Sequence, residues 1–83
     1  MWSASPDILT TDLQDELVLM DAAAGEMFSL NAAGRLLWQS LPASTEALAA
    51  RLCSEYQLSE AQAREDVTAL LSDLEERGLI RRS

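Results

Sequence analysis

The carboxylates Asp66 and Asp73, the lone thiol Cys53 and the backbone of one short segment, Glu26-Met27-Phe28-Ser29-Leu30, are the groups of this chain with chemistry to offer. Covalent catalysis needs a nucleophile beside a base, and acid–base catalysis needs a matched pair of groups. The chain has no His, which removes the commonest general base and metal ligand. A single Cys builds neither a zinc site nor a redox pair. Cys53 lies between Leu52 and Ser54 with Arg51 as its near cation in sequence, and reads as a small hydrophobe rather than an activated thiol. Gly25, Gly34 and Gly78 are isolated, so no glycine-rich phosphate cradle exists. These features point to a non-enzyme with no cofactor and no metal, and leave non-covalent recognition as the chemistry.

Composition narrows the partner. At 83 residues the chain reads as one domain, 1–83, with a structured core from about 7 to 80. Its 48% hydrophobic and 24% charged residues are those of a globular domain. The net charge is -8 and all six cations are Arg. Such a field repels phosphate backbones, and the sole basic cluster, Arg77, Arg81 and Arg82, sits at the C-terminal end, so nucleic acid is disfavoured and a basic or neutral partner is expected. One Cys allows no intrachain disulfide, and the start Met-Trp-Ser-Ala-Ser-Pro lacks the charged and apolar regions of a signal peptide. No apolar run approaches the roughly 20 residues of a membrane span, so a cytoplasmic protein without a membrane partner is expected.

The elements that must position these groups follow from periodicity and turn residues. Residues 1–6 read as a loose leader in which Trp2 packs on a sheet or frays. Ile8–Leu13 reads as a strand, Gln14-Asp15 as a turn and Glu16–Asp21 as a central strand. Gly25 supplies a positive φ for a hairpin turn and Asp21 accepts turn N–H groups. Glu26–Leu30 then pairs back, with Met27 and Ser29 on one face and Glu26, Phe28 and Leu30 on the other.

Asn31 caps a helix over Ala32–Leu41, in which Leu36, Leu37, Trp38 and Leu41 form an apolar stripe, Gly34 implies a packing reason and Pro42 ends the run. Ser44 or Thr45 caps a second helix to Tyr56, with Leu48, Leu52 and Tyr56 inward. Ser59 caps the third and longest helix, where Ser59 and Gln62 fit a capping box and Ala63, Val67, Leu70 and Leu74 form the core stripe. Gly78 stops it, Leu79-Ile80 folds back on the core and Arg81-Arg82-Ser83 trails into solvent. Strands in one block and helices in the next predict an α+β domain.

On this frame Glu26–Leu30 is an edge strand whose free N–H and C=O groups await a partner. One of Met27 and Phe28 points into the core and the other lines a groove. Asp66 and Asp73, with Gln62 and Ala69, form a second stripe beside the core stripe of the third helix, so both carboxylates stand at the lip of any groove it borders. The same architecture could serve DNA binding, but a DNA-reading helix is basic and this one is acidic. It could also pair its edge with a second copy, although a monomer is expected over a homodimer.

Leu17-Val18-Leu19, then Asp21, Gly25, Phe28 and Leu30-Asn31, then Trp38, and finally Asp66-Val67-x-Ala69-Leu70-Leu71-x-x-Leu74-x-x-Arg77-Gly78-Leu79-Ile80 resemble the PqqD family over about Ile8 to Ile80. The resemblance implies a winged-helix-like domain, a three-stranded antiparallel sheet followed by three α-helices. It also implies a function: capture of the leader of a ribosomally made precursor peptide, which adds as a further strand along Glu26–Leu30. Its side chains would enter a groove bordered by Asp66, Val67, Leu70, Asp73 and Leu74. The captured peptide would be presented to a processing enzyme. A free-standing chain of this size is most similar to the leader-binding protein of a lasso-peptide pathway, whose partner is a separate leader peptidase. A PQQ-type peptide chaperone serving a radical enzyme is the alternative.

Overall fold

Alternating apolar residues and two tight turns build the main sheet of the chain. The computed structural model describes residues 1–82. Among them lie β1 (Trp2–Ala4), β2 (Ile8–Asp12), β3 (Leu17–Asp21), β4 (Glu26–Leu30), α1 (Ala32–Gln39), α2 (Thr45–Tyr56), α3 (Glu60–Glu76) and β5 (Ile80–Arg82). Strands β2, β3 and β4 form an antiparallel sheet in that order, with β3 central. In its register Leu17 faces Leu30, Leu19 faces Phe28 and Asp21 faces Glu26. Leu17, Leu19 and Leu30 are buried with the helices, while Leu9, Met20 and Met27 face away from them into solvent.

The β3–β4 turn forms as its residues dictate. Asp21 Oδ1 accepts from the N–H groups of Ala23 at 3.1 Å and Ala24 at 3.2 Å. Gly25 takes φ +70°, a conformation that costs a residue without Cβ nothing. The chain then passes from β4 into α1 through Asn31, whose Oδ1 accepts from Gly34 N–H at 2.9 Å.

The three helices close over the inner face of the sheet. Leu37 of α1, Leu48, Ala49 and Leu52 of α2, and Ala63, Val67, Leu71 and Leu74 of α3 join the sheet leucines in one core. Ser59 Oγ caps α3 by accepting from Gln62 N–H at 3.1 Å, but the Gln62 amide reaches forward to Asp66 Oδ1 at 2.9 Å rather than back to the cap. At the other end Leu79 N–H donates to the Leu74 carbonyl at 2.9 Å and Gly78 N–H to that of Glu75 at 3.0 Å, with Gly78 at φ +74°. Those two bonds make a Schellman motif and drop Leu79 and Ile80 into the core.

The termini depart from the sequence expectation. Residues 1–6 are not a loose leader, nor do Arg81 and Arg82 trail away, while Ser83 lies outside the described residues. Trp2–Ala4 pairs antiparallel with Ile80–Arg82, Trp2 opposite Arg82. Trp2 is buried, and its indole N–H donates to Thr45 Oγ1 at 3.0 Å. The Arg82 guanidinium lies 4.8 Å from the Trp2 ring centroid. A strand this short shows no period, and its partner stands at the far end of the chain, so local patterning could not reveal the pair.

Outside the core, one polar tie joins the sheet to α1. Arg35 Nε and Nη2 donate to Asp12 Oδ1 and Oδ2, both at 2.8 Å, and Gln14 N–H donates to Oδ1 at 2.8 Å. The Arg35 hydrogen bond, then that of Gln14, lowers the Asp12 pKa from 3.8 to about 2. A carboxylate favoured by the fold stabilises fully above 3.8, and this contribution is lost as pH falls through about 2. The stability gap between wild type and Asp12→Asn, measured by urea denaturation, is therefore expected to be constant near neutrality, to narrow below pH 3.8 and to close near pH 2. A gap independent of pH over that window would show that the tie contributes nothing.

Candidate functional site

Hydrogen bonding occupies one side of β4 and leaves the other open. Among the described residues β4 pairs with β3 alone, so it is an edge of the sheet. Gly25 and Asn31 mark where the edge begins and ends. Beside it runs α3, antiparallel in sense. Its C-terminal end meets the hairpin end of β4, where the Arg77 guanidinium lies 4.4 Å from the Phe28 ring centroid. Its middle, at Asp66 and Leu70, borders a cleft that reaches Asn31.

That cleft holds about 320 Å³ and has a largely apolar lining of Leu37, Leu52, Tyr56, Leu58 and Leu70, with Asp66 at its rim. It has room for one or two apolar side chains. Toward Phe28 and Arg77 the space contracts to a recess of about 10 Å³, bounded also by Asp21 and Glu26. That volume holds about one water, so nothing larger enters while Arg77 lies over the ring. Arg77 Nε also donates to Asp73 Oδ1 at 3.2 Å, which places one of the two lip carboxylates in an ion pair.

Each residue expected at the site has a definite place. Phe28 turns inward, half-buried against the core, and Met27 turns outward with 65% of its surface exposed. Glu26 and Ser29 are exposed, while Leu30 is buried and offers the site its backbone only. On α3, Asp66 is exposed, Asp73 half-exposed and Leu70 half-buried. Val67 and Leu74, at 0% and 2% exposure, lie wholly in the core and form no groove wall. The apolar stripe of α3 runs through Leu71 in place of Leu70, because steps of seven and eight both fit a 3.6-residue period and only the helix's rotation against the core selects between them.

The sequence reading missed Arg77 as a site residue, although its spacing from Asp73 is that of an i,i+4 ion pair. It also placed Tyr56 on the inner face of α2, whereas the ring is 45% exposed and lines the cleft. Leu58 joins the cleft from the loop after Gln57, whose backbone is left-handed at φ 53°. Tyr56 and Leu58 reach the cleft only in the folded chain, and no local signal marked either of them.

The family profile described as Coenzyme PQQ synthesis protein D (PqqD) matches residues 16–80. The chain belongs to the PqqD family. Two solved structures share the fold of this PqqD-family chain. "Lasso peptide synthetase B1 complexed with the leader peptide" superimposes with a TM-score of 0.86 at 30% identity, over 98% of each chain. "TbiB1 in Complex with the TbiA(beta) Leader Peptide" gives 0.90 over 98% of this chain and 96% of the other, and at 24% identity that likeness speaks for the fold. No curated protein sequence matches the chain.

Gly34 shows how closely this PqqD-family domain packs where β4 enters α1 at the floor of the cleft. A Cβ there would stand 3.0 Å from Leu30 Cβ, an atom anchored to the strand backbone. Gly34→Ala gains about 0.5–1 kcal/mol of helix propensity. Overpacking costs about 1–3 kcal/mol, so a net loss of about 1 kcal/mol is expected, read as a lower urea midpoint with unchanged slope. A raised midpoint would mean that Leu30 yields freely.

Proposed function

We propose that this chain is a non-catalytic adaptor that captures the leader of a ribosomally made precursor peptide and presents the peptide to a separate processing enzyme. The observation that carries this is the open β4 edge, which leads at Asn31 to an apolar cleft between α1, α2 and α3. Membership of the PqqD family supports it, as does the 30% identity to a lasso peptide synthetase B1 complexed with a leader peptide. That relative favours a lasso-type pathway, with a leader peptidase as the partner, over a radical enzyme of the PQQ type. The adaptor acts as a monomer in the cytoplasm, where its precursor is translated.

The leader adds to β4 as a further antiparallel or parallel strand, gaining main-chain hydrogen bonds over Glu26–Leu30. An edge of this length offers on the order of 17 Å of pairing, enough to set register but modest in energy. Ordering a disordered peptide opposes binding, so apolar leader side chains must supply a surplus by entering the cleft at Leu70. Asp66 and Asp73 at the lip favour a basic group on the peptide. Phe28 and Arg77 border the hairpin end of the groove. The expected affinity is on the order of 1 μM, about -8 kcal/mol. DNA binding is disfavoured because α3 is acidic and its Arg64 and Arg77 already pair with Glu60 and Asp73.

Titrating isotope-labelled protein with the synthetic leader is expected to shift amide resonances of Glu26–Leu30 and of α3 around Asp66 and Leu70. Leu70→Asp is expected to weaken binding at least tenfold with the circular dichroism spectrum retained, and the Asp66→Ala/Asp73→Ala pair by about threefold at low salt. Shifts confined to the β1–β5 end of the molecule, or full affinity in Leu70→Asp, would remove the site.

A further inference from the structure

The β4 edge leads at Asn31 to an open cleft and at the hairpin end to a covered ring. The cleft holds about 320 Å³, whereas the recess beside Phe28 holds about 10 Å³. The cover is one side chain. The Arg77 guanidinium lies 4.4 Å from the Phe28 ring centroid, and its Nε donates to Asp73 Oδ1 at 3.2 Å. A strand added to β4 projects the residue opposite Phe28 to the same face of the sheet, with its Cβ about 5 Å from that of Phe28. Its side chain therefore arrives at a ring that Arg77 already covers.

This cover is held loosely. The Arg77 and Asp73 side chains are both 45% exposed. A solvated cation–π contact and a solvated ion pair each shift an equilibrium only a few-fold, together about three- to thirtyfold. The backbone beneath is fixed by contrast, since Arg77 N–H donates to the Asp73 carbonyl at 3.1 Å and the Gly78 and Leu79 amides close the helix behind it. Only the side chain is free to move, by fast rotamer exchange. A second seat for the guanidinium is at hand. Glu26, on the same face of β4 as Phe28, has no ion pair among the described residues, and with Asp21 opposite it borders the same recess as Arg77.

We propose that Arg77 is an autoinhibitory plug that sets specificity at the hairpin end of the leader groove, an inference that rests on the adaptor function above. In the free protein the guanidinium covers Phe28. A leader binds by replacing it on the ring with an apolar side chain, while the guanidinium shifts toward Glu26 and Asp21. The carboxylates of Asp21, Glu26 and Asp73 turn away an acidic side chain, and a small polar one leaves the ring wet. Apparent leader affinity is the intrinsic affinity multiplied by the fraction of molecules with the ring uncovered, so the plug sets a threshold that poorly fitting peptides do not pass.

The test combines a spectroscopic readout on wild-type protein with a variant, and the probe is the synthetic leader. In the free protein the side-chain resonances of Arg77 are expected to carry the ring-current shift of Phe28, and to lose it on saturation with leader. Arg77→Ala is expected to bind leader at least threefold tighter by fluorescence anisotropy, with the gain retained at about 0.5 M salt, where the loss of one positive charge is screened. An alanine scan of the leader is expected to find one apolar position whose replacement erases that gain. A ring-current shift that persists in the complex overturns the plug, and this readout stands even if the variant folds poorly. Equal or weaker binding by Arg77→Ala makes the guanidinium a wall or a leader ligand and overturns it too. A gain that vanishes at high salt, or that no apolar leader position carries, has the same consequence while leaving leader capture intact. Failure of wild type to bind leader overturns the adaptor function itself, and the plug with it.

Discussion

The antiparallel register of β3 with β4 is the constraint on which the rest of the molecule depends. It sets Leu17 against Leu30 and Leu19 against Phe28, which places four large side chains on the helix-facing side. A slip of one residue would send all of β4's inward side chains to water, so the buried face itself enforces the pairing. The turn agrees with it, since Asp21 binds two turn amides and Gly25 adopts the left-handed conformation the reversal needs. From that register follow the free edge of β4, the exposed row on the outer face, and the position of Asn31 over the first turn of α1. Local turn chemistry and hydrophobic alternation thus specify the same arrangement.

An edge strand offers backbone groups common to every sequence, so β4 alone confers little selectivity. Discrimination has to come from α3 and the cleft beside it, where an apolar lining meets the carboxylate of Asp66. Arg77 joins the two elements, stacked on Phe28 and paired with Asp73, so the two lip carboxylates differ in their surroundings. The clasp of β1 on β5 supports this corner. Ser5 donates from its N–H to the Leu79 carbonyl at 2.9 Å and from its hydroxyl to that of Gly78 at 2.8 Å, which holds the turn where α3 ends. Terminal residues far in sequence from the site therefore help fix the position of Arg77.

Much of the architecture was legible from local signals. The strand over Glu26–Leu30, the caps at Asn31, Ser44 and Ser59, and the stop at Gly78 all stand where short-range chemistry puts them. Each depends on one side chain or one backbone angle within a few residues, and such interactions are written directly in the chain. The ordered apolar and glycine positions also carried the resemblance to the PqqD family, to which the chain belongs.

Only the tertiary structure decided which apolar residues are core and which are surface. The α3 period allowed either Leu70 or Leu71 inside, and packing against α2 and the sheet chose Leu71, freeing Leu70 for the cleft. It likewise exposed Tyr56, turned Phe28 inward and Met27 outward, and paired Trp2–Ala4 with Ile80–Arg82. The sequence by itself determined the elements, their caps and the acidic charge, because those arise from neighbours along the chain. The cleft, the Phe28–Arg77 contact and the exposed row across the sheet arise from side chains that meet only when distant segments pack, and hydrophobic periodicity cannot order such contacts in advance.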